Sequence, residues 1–361
     1  MSIKVLCITS QCDRPESETF VGLHNEGIDL EVIAHPDGIN NPVISEGGVP
    51  ICLHDIRKRI DLKSIRLIRD KLRENRYDIL HCFNNKALSN ALIAAIGIPV
   101  KIIAYRGIVG NVSFFDPKSW LTYLNPRVNK VICVADAIRQ FFIKMNFLGF
   151  KLNENKFITI HKGHKVAWYQ NPYENLTKFN IPEESFTVGC IANIRPRKGI
   201  QFLIESAKFL PSDIPIHFLL IGNMESSKLL KQISDSPLST QFHLTGFRKD
   251  AAEIVGGCDV SVLPALKREG LPKVVIESMA YGVPAIVTDS GGSPELIEQN
   301  KSGIIIPPGD AKAIANGIMS LYNDRDKCRK MGEEAIKRIE NDFNNQKTVE
   351  KTLKVYRDLT E

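Results

Sequence analysis

Short, unbroken apolar runs recur along the chain. In the first half they fall at residues 3–8, 29–34, 79–83, 100–105 and 130–134; in the second, at 187–191, 216–221, 241–244, 259–264, 284–288 and 303–306. They do not alternate with polar residues, as expected of parallel strands covered on both faces. Between them apolar positions return at helical spacing. Leu62, Ile65, Ile68 and Leu72 form one stripe and predict a helix over 62–75; a second helix is predicted over 272–281. Strand and helix in alternation predict doubly wound α/β sheets. The series restarts after residue 160. The polar stretch Asn171-Pro172-Tyr173-Glu174-Asn175 reads as a linker, so the expected division is 1–165, linker 166–179, and 180–343. From Asn344 onward a last helix carries Val349, Leu353 and Tyr356 on one face. No strand follows it, so it must dock on a core already built.

The chain has 361 residues, which favours two domains over one. A net charge of +6 suits anionic partners such as phosphates or an acidic membrane. It does not by itself indicate nucleic acid, because zinc-finger spacing and basic–aromatic RNA-binding patterns are missing. The eight cysteines are scattered without a C-x-x-C pair and read as free thiols of a reducing compartment. No signal-like segment precedes the first strand, and no apolar run approaches the ~18 residues that span a bilayer. The expectation is a cytoplasmic protein, peripheral at most on the inner membrane.

The chemistry concentrates in Arg268-Glu269-Gly270-Leu271-Pro272-Lys273-Val274-Val275-Ile276-Glu277. This stretch leaves a strand and opens a helix. Gly270 permits close approach of backbone to a ligand, and Pro272 suits the first helical position. The N–H groups of Leu271 and Lys273 then lie at the positive helix end, where phosphates bind in this architecture. Glu277 sits among Val275, Ile276 and Met279 and needs partners. A ribose diol would supply two hydroxyls; the plain alternative is an ion pair with Lys273 one turn away.

The run continues through Tyr281-Gly282-Val283-Pro284 to Gly291-Gly292-Ser293-Pro294-Glu295. Here the sequence resembles the signature of the retaining glycosyltransferase family 4, of bacterial surface-polysaccharide type. Asn193-Ile194-Arg195-Pro196-Arg197-Lys198-Gly199, Leu219-Leu220-Ile221-Gly222 and Leu244-Thr245-Gly246-Phe247 follow the family's other motifs in order. The resemblance implies a GT-B fold, two Rossmann-like domains facing across a cleft, with the last helix crossing back to the first domain. It implies that Glu277 holds a nucleotide ribose. Glu269, Gly270, Leu271 and Pro272 would face donor sugar and phosphates, with Lys273 and Asn193 beside them. Lys198 and Arg195 would meet the pyrophosphate, and the Gly246-Phe247 turn would lie near the base. The donor is then a nucleotide-diphosphate sugar, used without metal or resident cofactor, and the acceptor a glycan or lipid-linked glycan in lipopolysaccharide or related synthesis.

The first half departs from the family. Thr9-Ser10-Gln11-Cys12-Asp13 stands in place of a Gly-Gly loop, and Ala104-Tyr105-Arg106-Gly107 in place of a histidine. Arg106 is therefore the candidate for orienting phosphate or acceptor there. His81 reads equally as a site residue or as a core histidine. The basic series from Arg57 to Arg76 and the aromatic stretch 141–150 predict contact with an anionic membrane. Two other readings stay open: a nucleotide-sugar 2-epimerase of the same fold, and a catalytically silent nucleotide-sugar-binding protein.

Overall fold

The computed structural model describes residues 2–172, 175–224 and 226–361. They form two compact units, 1–163 with 345–361, and 164–344.

The first unit holds β1 (Lys4–Ile8), β2 (Asp29–Ala34), β3 (Ile51–Leu53), β4 (Ile79–Cys82), β5 (Lys101–Arg106), β6 (Val128–Cys133), a short antiparallel hairpin β7 (Asn146–Phe147) and β8 (Phe150–Lys151), and β9 (Phe157–Thr159). Its parallel sheet runs in the order β3-β2-β1-β4-β5-β6-β9. The second unit holds β10 (Phe186–Ile191), β11 (Ile216–Ile221), β12 (Phe242–Gly246), β13 (Val260–Leu263), β14 (Ala285–Thr288) and β15 (Gly303–Ile306), in the order β12-β11-β10-β13-β14-β15. Both sheets therefore wind outward from their first strand in both directions. In such sheets the carboxyl ends of the strands flanking the reversal form a ready-made binding crevice.

The central strands are the runs visible in the sequence. Val5–Ile8, Ile79–Cys82 and Val260–Leu263 are buried at every position, as helices on both faces require. The two short edge strands β3 and β9 and the hairpin escape the pattern. Phe142 of the aromatic stretch is core, in the helix Asp136–Ile143, whereas Phe147 and Phe150 lie on the hairpin.

The last helix, Asn345–Thr360, packs on Arg14–Asn25 within the first unit. Gly22 allows the contact, since a Cβ there would sit 2.5 Å from Val349 Cγ2. Asn345 donates to the Pro15 carbonyl, and Thr348 joins the His161 carbonyl to the Gly163 N–H.

Residues 164–172 and 175–179 differ from the expected linker. They belong to the second unit. Val166 and Tyr169 pack against the core that includes Ile276 and Ile339, and Tyr169 Oη lies 2.5 Å from His164 Nδ1. Tyr173 and Glu174 lie outside the described residues.

Candidate functional site

The richest chemistry of the second unit gathers at the carboxyl ends of its strands. After β10 the chain makes a 3-10 turn, Pro196–Lys198, and enters the helix Ile200–Ser206 through Gly199. Gly199 has φ +69°, and a Cβ there would fall 1.9 Å from the Pro264 carbonyl oxygen. Only glycine lets this turn press against the loop after β13, and the Leu266 N–H donates to the Arg197 carbonyl at 2.8 Å to close it. Gly222 does the same after β11: a Cβ would meet the Ala192 carbonyl oxygen at 2.1 Å. Its N–H donates to the Gly246 carbonyl at 2.9 Å, which places the Gly246-Phe247 turn beside the β10 loop.

Glu269 is buried and accepts from two cations, Lys198 Nζ at 3.0 Å and Arg197 Nη1 at 3.2 Å. Its backbone is gripped by the loop after β14: Gly291, at φ +60°, leaves a gap where a Cβ would be 2.1 Å from the Glu269 carbonyl oxygen. Arg268 takes φ +65°, an uncommon conformation for a non-glycine residue and one that collects at functional sites. The helix Lys273–Ala280 follows. Pro272 is its N-cap, with ψ 109°, rather than its first helical residue. Pro272 therefore ends the Gly270-Leu271 turn and leaves the first helical N–H groups without intrahelical partners. The ion pair between Lys273 Nζ and Glu277 Oε1 forms, at 2.8 Å, with Glu277 mostly buried.

Between these loops lies a hollow of about 350 Å³, walled by Asn193, Arg195, Arg197, Lys198, Gly222, Phe247, Arg248 and Val274 among others. The size suits a nucleotide-scale ligand. Four wall residues are cationic. Glu269 answers Arg197 and Lys198, and Asp250 answers Arg248 through two bonds of 2.8 and 2.5 Å. Two carboxylates thus balance four cations, and Arg195 has no carboxylate partner among the described residues. Another hollow, of about 400 Å³, lies near Thr187 and Asp259 at the amino ends of the strands, away from the binding edge of such a sheet.

Of the residues singled out in sequence, Asn193, Arg195, Lys198 and Phe247 line the cationic hollow. Gly246 braces it, Glu269 holds its cations, and Gly270, Leu271, Pro272, Lys273 and Glu277 form the adjoining turn and helix start. Arg248 and Val274 were not singled out. Arg248 directly follows the Gly246-Phe247 turn, and that position is the signal that could have found it.

Arg106 is a correction. It is buried in the first unit, where Nε donates to the Ile108 carbonyl at 2.9 Å and Nη2 to the Gly110 carbonyl. Its guanidinium lies over the Tyr123 ring. The group folds its own loop and is spent on it. The carboxyl edge of that sheet carries a closed ionic cluster instead. Lys162 Nζ reaches Asp13 at 3.1 and 3.2 Å and Glu16 at 3.1 Å, and Thr9 Oγ1 donates to Glu16 at 2.5 Å. Burial alone would push the Lys162 ammonium down, but Tyr105, Glu16 and Asp13 outweigh it and hold its pKa well above the usual value. His81 is core: its Nδ1 lies 2.7 Å from Tyr356 Oη, and burial lowers its pKa to about 3. Among the described residues no three His, Cys, Asp or Glu side chains gather as metal ligands. No described helix is long and apolar enough to cross a membrane.

A nucleotide-sized cationic hollow thus lies at the carboxyl-end crevice of a doubly wound sheet. The family model Glycosyl transferases group 1 matches residues 173–338, and Glycosyltransferase Family 4 matches 18–165. The chain belongs to these glycosyltransferases, of GT-B fold with two Rossmann-like domains. It is similar to the Escherichia coli UDP-Gal:alpha-D-GlcNAc-diphosphoundecaprenol alpha-1,3-galactosyltransferase, at 25% identity over 99% of this chain and 96% of the relative. It is 28% identical to the Staphylococcus aureus capsular polysaccharide biosynthesis glycosyltransferase CapM, over 69% of this chain and 67% of CapM. Its fold matches that of Anabaena Alr3699/HepE in complex with UDP, with TM-score 0.79 and 18% identity over 99% of this chain and 100% of that one.

Proposed function

We propose that this glycosyltransferase moves a sugar from a UDP-sugar to a hydroxyl of a glycan or lipid-linked glycan acceptor, with retention of anomeric configuration, in the synthesis of a bacterial surface polysaccharide or lipopolysaccharide. The observation that carries the reading is the hollow in which four cations face two carboxylates. A nucleoside diphosphate supplies the missing negative charge. Lys198, oriented by Glu269, and Arg195 stabilise the charge that grows on the diphosphate as the sugar C1–O bond breaks. The helix start at Lys273 adds its N–H groups. Glu277 accepts hydroxyls of the ribose, and Phe247 flanks the base.

The acceptor oxygen bonds to C1 on the face the diphosphate leaves, and the acceptor proton passes to a departing phosphate oxygen. No resident cofactor enters this scheme. The choice of uridine rests on the UDP-galactose named for the E. coli relative and on the UDP bound by the Anabaena protein. The lipid-linked acceptor rests on the diphosphoundecaprenol named for that same relative, and we propose that the transfer takes place at the cytoplasmic face of the membrane.

A thermal-shift panel of UDP-, GDP-, ADP- and dTDP-sugars tests the donor. A UDP-sugar at about 100 times its Kd should stabilise the chain by about 2.7 kcal/mol, and Glu277→Ala should remove most of that gain. Indifference to every donor would reject the site. Epimerised donor sugar formed without acceptor would favour the 2-epimerase.

A further inference from the structure

The hairpin β7–β8 and the loop after β5 bring an aromatic surface to the outside of the first unit. Phe115 and Phe147 meet edge to face at 4.9 Å, Phe114 and Phe150 at 5.6 Å, and Phe114 lies 6.2 Å from Trp120. The patch is contiguous yet open: Phe115 is 76% exposed and Leu148, at the hairpin tip, 91%.

The tip is costly for the chain on its own. Leu148 has φ +49° and Gly149 φ +85°, the paired left-handed residues of a tight hairpin turn. The Asn146 side chain accepts the Gly149 N–H at 3.0 Å and completes it. Such a turn favours Gly at its first central position, where a Cβ would crowd the following carbonyl, or Asn, whose short polar side chain can hydrogen-bond locally. A leucine in that place strains the backbone and exposes apolar surface, and it buries nothing within the chain.

Beside the patch runs an open groove of about 630 Å³. Trp120, Leu124 and Phe150 contribute apolar walls, and Lys130, Lys151 and Lys156 contribute ammonium groups. Lys130 and Lys156 each donate to one backbone carbonyl, of Asn155 and Asn125, and an ammonium has further donors to give. Burial pushes the Lys156 pKa down to about 8, a cost that a bound anion would relieve. Residues 113–156 hold seven Lys and Arg against three Asp and Glu, a balance of 7 − 3 = +4 in a chain of net +6.

We infer that this face docks on an anionic phospholipid bilayer, with the Phe147-Leu148 tip among the acyl chains at the interface and Lys130, Lys151 and Lys156 on headgroup phosphates. Apolar tip and cationic rim together match a lipid surface, where neither would alone. The helix Leu62–Asn75, the other basic candidate, turns part of its charge inward: Arg69 donates to the carbonyls of Ala94 and Ile96, and Lys71 pairs with Glu31 at 2.5 Å. In purpose the inference rests on the lipid-linked acceptor proposed above, but lipid binding is measured without it.

The test is co-sedimentation of the full chain with vesicles of phosphatidylcholine, alone or mixed with phosphatidylglycerol. The wild type should sediment with the mixed vesicles, and less so as salt rises. Leu148→Asn gives the turn its favoured residue, so the melting temperature should hold or rise while vesicle binding falls about tenfold or more. Lys130→Gln with Lys151→Gln should weaken binding roughly fivefold per lysine. A wild type that stays in the supernatant at low salt, or a Leu148→Asn variant that binds as well as wild type, overturns the inference. So does a concentration-dependent dimer that the variant abolishes in the absence of any vesicle binding; it would make the patch a contact between copies. Transfer to a short water-soluble acceptor should be equal in wild type and variant. Its absence in both would reject the transferase reading and leave the vesicle result standing.

Discussion

The two sheets share one winding order, yet their carboxyl edges are finished in opposite ways. In the second unit the loops bring Arg195, Arg197, Lys198 and Arg248 around a hollow where, among the described residues, two carboxylates, Glu269 and Asp250, face them. In the first unit the corresponding loops consume their own charge: Lys162 is clamped by Asp13 and Glu16, and Arg106 by carbonyls of its own loop. An edge with surplus charge is prepared for an anion. A self-neutralised edge is prepared to hold its shape. One fold thus carries a cationic hollow on one sheet and a self-neutralised support on the other, and the difference lies in loop residues rather than in strand order.

Removing one lysine from each edge should have opposite consequences. Lys162→Met removes the cation shared by Asp13 and the buried Glu16 and should cost about 3–5 kcal/mol of unfolding free energy. Chemical denaturation reads this directly, and a loss below about 1 kcal/mol would show that the cluster is not structural. Lys198→Ala should do the reverse. Glu269 keeps Arg197 at 3.2 Å, so the fold should survive, while kcat falls about 10²–10³-fold as the leaving diphosphate loses its cation. If Lys198→Ala unfolds the chain as readily as Lys162→Met, the two edges are alike and the contrast fails.

The sequence exposes this contrast unevenly. Continuous apolar runs mark every central strand because helices cover both faces. Ile51–Leu53 and Phe157–Thr159 go unmarked because three residues at the sheet edges carry too little pattern. The aromatic run 141–150 reads as one amphipathic stretch, but it divides at the end of a helix, with Phe142 going to the core and Phe147 to a hairpin tip. The second unit's site is largely visible because glycines fix its loops: Gly199, Gly222 and Gly291 each stand where a Cβ would strike backbone. The first unit's edge lacks such markers. Arg106 looks like a site residue until its loop is seen to fold back on it, and the Lys162 cluster joins residues about 150 positions apart, a pairing that no local pattern contains.

The remaining prediction concerns acid. His81 is buried in the first unit against Tyr356 of the last helix, and burial lowers its pKa from 6.5 to about 3. Between those values the unfolded chain binds the proton and the folded chain does not, so unfolding gains as pH falls. The contribution of His81 is complete above pH 6.5 and should drain by up to about 1.4 kcal/mol per pH unit below it, levelling near pH 3. Denaturation midpoints followed from pH 7 to pH 4 should fall more steeply in wild type than in His81→Gln, which keeps a polar group for Tyr356 but takes up no proton in this range. In the second unit, His217 and His243 lie 2.9 Å apart and are also shifted downward by burial, so they add acid sensitivity of the same sign. They are only partly buried, and solvent blunts the shift. Equal slopes in wild type and His81→Gln would move the acid-sensitive element out of the first unit's core.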